Sequence, residues 1–266
     1  AYEYYLRGKY IYHHKIDQSD TEIARGLFRK AIDLDPNFSE AISSEGICYY
    51  SNGEYEKAST CFENAYQVAE MNNDLAGKAF SLRLLGNIKY NKNLYEEAYT
   101  DWGEALRITK EKGDLKGEAI TRARLCTKLL LEGRYDEALS HFEKSLSIFS
   151  GLDDKGNMSG MYGAIGQIYS ICGMYEAAIK SFNVGLQIRI EIGDKAGESM
   201  AKRALGYIEL VNGRLEEAYR LFEESLQISR KLNNKINTAN AIFMLGLVDN
   251  DQGNYKVCGV RPIRFI

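Results

Sequence analysis

GEYEKA at 53–58, NLYEEA at 93–98, GRYDEA at 133–138, GMYEAA at 173–178 and GRLEEA at 213–218 recur at one constant interval along the chain. Upstream of these stretches a small residue recurs at Gly46, Gly86, Cys126, Gly166, Gly206 and Gly246, and downstream an aromatic recurs at Phe62, Trp102, Phe142, Phe182 and Phe222. Self-similarity at a fixed period is the mark of a solenoid, in which each repeat buries its apolar face against the next. Within a repeat, apolar residues return at three and four, as in Ala58, Phe62, Ala65 and Tyr66 or Ala218, Leu221, Phe222 and Leu226. That is the stripe of an amphipathic helix, and no stretch alternates as a strand would. Each repeat is expected to be a helix A, over about 78–92 in one case, a turn at Asn93, and a helix B over about 95–111. The small residue and the alanine sit where two helix axes pass within ~8–10 Å, where a large side chain would hold them apart.

These residues resemble the tetratricopeptide repeat, a helix-turn-helix unit with a small residue on helix A and an alanine and an aromatic on helix B. The resemblance covers Tyr2 to about Tyr255. It implies an all-α fold, a right-handed α-solenoid (superhelix), with residues 1–256 forming one solenoid of about six repeats plus an incomplete seventh. Residues 257–266 (VCGVRPIRFI) are expected to be a non-repeat tail, truncated or altered, because GNYKVC at 253–258 starts another helix B that Pro262 would break. The unit is longer than the usual tetratricopeptide repeat of about 34 residues, so helix B or the loop after it is longer. That loop has its own pattern, NNDLAGKA at 72–79, KGDLKGEA at 112–119 and IGDKAGES at 192–199. Glycine or asparagine there would end one helix in a left-handed cap, and Asp114 or Asp194 would cap the next.

This long repeat is similar to the tetratricopeptide arrays of peptide-binding polarity adaptors and bacterial signalling regulators. The first repeat, from YEYYLRGKYIYHH at 2–14 through Ala24 to Ala41 with Pro36 in its linker, resembles the start of the C-terminal repeat region of class III adenylate/guanylate cyclases and winged-helix regulators. That likeness implies, as an alternative, a regulatory region of a larger signalling protein. The chain opens on Ala1 rather than Met, as an excised module would.

Thirty-four Lys and Arg against 37 Asp and Glu leave a net charge of −3, without the basic excess of a general nucleic-acid binder. No apolar run approaches the ~20 residues that span a bilayer, and the tyrosine-rich N-terminus does not read as a secretory signal. Five cysteines, an odd number with no CxxC pair, point to a reducing compartment and a cytoplasmic protein. No phosphate-binding glycine loop is present. The adjacent His13 and His14 cannot face one side of a helix as metal ligands would, and paired carboxylates such as Glu96 and Glu97 suit the first turn of helix B. Cys126 takes the place of glycine in the repeat and is expected to pack in the core, while Tyr55, Tyr95, Tyr135, Tyr175 and Tyr255 fall in register as turn-packing residues. The expectation is therefore a non-enzymatic protein that needs no cofactor or metal.

The resemblance implies that helix A lines the concave face of the superhelix. Positions one after and three before the small residue give Asn87 with Arg83, Thr127 with Ala123, Gln167 with Gly163, and Tyr207 with Arg203. The next turn adds Tyr50, Tyr90 and Asn91, and the same count at the entrance reaches Lys9 with Tyr5 and Tyr12. Long donors and tyrosines on a curved wall suit a peptide's carbonyls and carboxylates. Arg83 and Arg203 are expected to project from one wall with Asn87 and Gln167 between them, which fits an extended acidic segment best. The expected partner is a protein or peptide segment, with neither nucleic acid nor membrane, and the terminal repeats offer a surface for self-association.

Overall fold

The computed structural model of the protein describes residues 1–13 and 18–251. Among them are thirteen α-helices and no strand: α1 (Tyr2–His13), α2 (Gln18–Leu34), α3 (Ser39–Ser51), α4 (Tyr55–Met71), α5 (Leu75–Asn91), α6 (Tyr95–Lys112), α7 (Leu115–Leu131), α8 (Tyr135–Gly151), α9 (Lys155–Ile171), α10 (Tyr175–Glu191), α11 (Lys195–Val211), α12 (Leu215–Lys231) and α13 (Lys235–Asp251). The chain is an all-α helical repeat protein that divides into two compact units, Ala1–Ile148 and Phe149 onward, with the boundary inside α8. The expected tail at 257–266, with Tyr255, Cys258 and Pro262, lies outside the described residues, as does His14.

From α3 to α12 the helices end by one device. Asn93 has φ 62°, its N–H donates to the Tyr90 carbonyl at 3.0 Å, and the Leu94 N–H reaches back to the Lys89 carbonyl at 2.9 Å. This left-handed closure satisfies carbonyls that a helix end leaves open, and asparagine and glycine tolerate it best. The same backbone state recurs at Gly53, Asn73, Gly113, Gly133, Asp153, Gly173, Gly193, Gly213 and Asn233, evenly spaced at half the interval of the sequence repeat. The long repeat is thus two half-repeats of equal length. Helix A and helix B share the length, α4 and α5 having 17 residues each, and the loops after both stay short.

Helix A begins at Leu75, before the expected start, because Gly77 belongs to the helix and not to the loop. The repeated aspartate explains why glycine stands there. Asp114 and Asp194 accept from the N–H of Gly117 and Gly197, both at 2.9 Å, and cap α7 and α11. A side chain on either glycine would collide with that carboxylate.

In each unit the core runs between neighbouring helices. The repeated alanines Ala58, Ala98, Ala138, Ala178 and Ala218 are all fully buried. A Cβ on Gly46 would lie 2.5 Å from Phe62, and one on Gly206 would lie 2.7 Å from Phe222, so the aromatic ring rests on the bare helix backbone of its own repeat. Phe62 also clusters with Leu85 and Ile88 of the next repeat, and Phe222 with Ala241, Leu245 and Val248, which ties successive repeats together. Cys126 is 1% exposed and packs as a core residue.

Candidate functional site

The first unit carries the expected residues on α1, α3, α5 and α7. Tyr50 and Asn91, from successive repeats, meet directly, the Asn91 amide donating to the Tyr50 hydroxyl at 2.7 Å. Tyr90 packs against Tyr95, edge-on, and Trp102, tilted, with ring centroids at 5.1 and 5.6 Å, leaving only part of its ring to a ligand. Asn87 and Thr127 are half-buried, and the Thr127 hydroxyl is already spent on the Arg124 carbonyl at 2.7 Å. Lys9 is exposed, with its ammonium 5.4 Å from the Tyr5 ring centroid. Tyr5 and Tyr12 pack against the buried Ala24, Phe28 and Cys48 and are not free at an entrance.

Arg83 corrects the expectation of a projecting charge. It is 8% exposed, folded back with its guanidinium carbon 5.1 Å from the centre of the Phe80 ring. Burial pushes its pKa down to about 10, against the pull of Asp114 and with the push of Arg124. A guanidinium at that value is still charged at neutral pH. Arg83 therefore holds its charge below the surface, while Tyr50 and Asn91 meet in a hydrogen bond of their own.

The second unit contains a cavity of about 500 Å³. From α9 come Ser159, Gly163, Gln167 and Ser170, and from α10 come Gly185 and Arg189. From α11 come Met200, Arg203 and Tyr207, and from α13 come Asn240, Phe243 and Met244. Three of the residues expected from the sequence, Gln167, Arg203 and Tyr207, are thus brought to one hollow together with Gly163. Phe243 lies one full repeat after Arg203 in the same row, and Met200 and Asn240 form a row one turn earlier on their helices. These the two-position count missed, although extending the period would have reached them.

The lining includes two arginines and no carboxylate. Arg189 spends Nη1 on the Gly197 carbonyl at 2.6 Å, while its buried Nε has no partner. Burial lowers its pKa, with Asp194 opposing. Arg203 is also lowered by burial, with no acidic neighbour to offset it. Beside these charges stand Met200, Tyr207 and Phe243, 47%, 45% and 64% exposed. A hollow with large apolar side chains open to water and a few convergent donors is the usual chemistry of a binding site. Among the described residues no group of three His, Cys, Asp or Glu side chains could hold a metal, and no helix is long and apolar enough to cross a membrane.

A sequence profile described as tetratricopeptide repeat matches residues 118–191 and 198–257, just over half of the chain. None of the curated proteins matches the chain. Among solved structures, a Rap protein complexed with competence and sporulation factor aligns at TM-score 0.66 and 16% identity, over 94% of this chain and 74% of that one. The tetratricopeptide repeat sensor-bearing signal transduction ATPase from Pyrococcus horikoshii aligns at TM-score 0.61 and 20% identity, over 88% of this chain and 37% of that one. The apo form of RapI aligns at TM-score 0.59 and 14% identity, over 95% of this chain and 98% of that one. At these identities the likeness is one of fold.

Proposed function

The chain belongs to the tetratricopeptide repeat family, and from that membership and the cavity described above we propose that it is an interaction module whose second unit holds a segment of a partner protein. The observation that carries this is the cavity itself: about 500 Å³, open apolar side chains, and two partly desolvated arginines with no carboxylate in the lining. Such a hollow has room for a few side chains of an extended segment, and its apolar lining supplies a driving force of ~25 cal/mol per Å² buried. Gln167 and Asn240 offer amide donors and acceptors to a peptide backbone. In the first unit, Tyr50, Asn87, Tyr90, Asn91 and Thr127, with Lys9 on α1 and the buried Arg83, are a further set for peptide contact. The similarly folded Rap protein is complexed with competence and sporulation factor, and that supports partner capture by this architecture.

Random-peptide display on the intact chain tests the proposal. Enriched peptides should lose binding when Gly163→Leu fills the cavity, a site where an added Cβ meets nothing nearer than 3.8 Å. They should keep it when the exposed Lys144 is changed to alanine. Enriched peptides that ignore Gly163→Leu would remove the cavity from the function.

A further inference from the structure

We infer that Arg189 and Arg203 form an anion seat in the second-unit cavity, taking a carboxylate of the bound segment while a neighbouring bulky apolar side chain packs on Met200, Phe243 and Met244. The inference rests on the groove reading above and adds to it the chemistry that the groove selects.

Arg189 is the residue that sets this repeat apart. Positions 69, 109, 149 and 229, at the same place on the other helices B, are Ala, Thr, Phe and Ser, each 2% exposed or less. A register built for buried small or apolar groups holds a guanidinium in this repeat alone. It is fixed by one strong bond, Nη1 to the Gly197 carbonyl, which leaves Nε and Nη2 to serve something else. Gly163 stands next to it on the cavity wall: a Cβ there would lie 3.8 Å from Arg189 Nη2. Arg203, on the facing helix α11, makes no hydrogen bond or ion pair among the described residues, although arginines such as Arg107 and Arg220 are clasped by glutamates on their own helices.

Arg203 is drawn partly out of water with no anion to offset it, and Arg189 with only Asp194, outside the cavity lining, to do so; that is costly, and the cost is relieved when an anion arrives. A guanidinium presents its donors as a planar fork that fits a carboxylate. The exposed side chains beside the arginines are the Met200 thioether and the rings of Tyr207 and Phe243, with Met244 half-buried, so the group next to the carboxylate is apolar.

The same display experiment separates the two claims. Enriched peptides should share an Asp or Glu beside Leu, Ile, Met or Phe. Arg203→Gln should weaken them by roughly 10- to 150-fold, the effect of losing a charge-assisted hydrogen bond. Changing the peptide's acid to its amide should do the same, and combining the two changes should cost less than their product. Arg189→Gln should act alike, and circular dichroism would check that losing the Gly197 tether leaves the fold intact. Arg203→Gln has no tether to lose and stands as the fold-neutral arm. Neutral consensus peptides, or undiminished binding to Arg203→Gln, would overturn the seat while leaving the groove in place. A failure to enrich any peptide sensitive to Gly163→Leu would overturn both.

Discussion

Replacing Gly86 by alanine is expected to destabilise the protein, although alanine is the better helix former. A methyl group on Gly86 would lie 2.5 Å from Trp102 Nε1 and 2.6 Å from its Cδ1, where unbonded heavy atoms settle at ~3.5–4.0 Å. The indole must therefore move by about 1 Å. Trp102 is 1% exposed and donates from Nε1 to the Arg83 carbonyl at 3.1 Å, so the movement leaves a buried donor without its acceptor. Overpacking costs ~1–3 kcal/mol, the orphaned donor ~1–3 kcal/mol, and helix propensity returns ~1 kcal/mol. The balance is a loss of ~1–5 kcal/mol. Gly103 supplies the contrast on α6: it is exposed and an added Cβ meets nothing within 4 Å. Gly103→Ala should therefore gain ~0.5–1 kcal/mol. Urea and thermal unfolding followed by far-UV circular dichroism would read both. A Gly86→Ala protein as stable as the parent would refute the ring-on-backbone packing that holds the repeats together.

Three other outcomes follow from the same structure. Asp194→Ala removes the carboxylate that accepts the Gly197 N–H at 2.9 Å and should cost ~0.5–2 kcal/mol in unfolding experiments; an unchanged midpoint would contradict the cap. Gly213→Ala places a Cβ at φ 75° and should cost ~1–2 kcal/mol, whereas Asn93→Gly should be tolerated. Burial pushes the thiols of Cys61 and Cys126 up to about 11, so their thiolate fraction at neutral pH is small and rises tenfold per pH unit. Alkylation mapped by mass spectrometry should modify the exposed Cys172 first and reach the other two only as pH climbs toward that value or the chain unfolds.

The repeat period, the turn at Asn93 and the aspartate caps were all legible, because each is a local choice that the backbone imposes wherever it recurs. The equal length of helices A and B is legible too, through the turn residues that return at every half-repeat from Gly53 to Asn233, but only once both turns of the repeat are compared; the extra length does not lie in helix B or its loop alone. Arg83 was misplaced for a different reason. Register fixes the direction in which a side chain leaves its helix, but a long side chain can fold back, and whether it does depends on Phe80 beneath it and on the charges of Asp114 and Arg124 from another repeat. Arg189 was missed because it lies on helix B, the helix read as packing. Its signal was the substitution of a charge into a row of Ala69, Thr109, Phe149 and Ser229, visible in the sequence but without meaning until that row was seen to be buried.

Photocrosslinking from the cavity wall is the most direct test of the account. Benzoylphenylalanine in place of Tyr207, which lines the cavity, should capture a display-selected acidic peptide, with the link mapped by mass spectrometry to the residues around its acid. The same group in place of Tyr219, equally open to solvent on α12 but away from the cavity lining, should not. Capture at position 219 and none at position 207 would contradict the assignment of the second-unit cavity as the place where the partner binds.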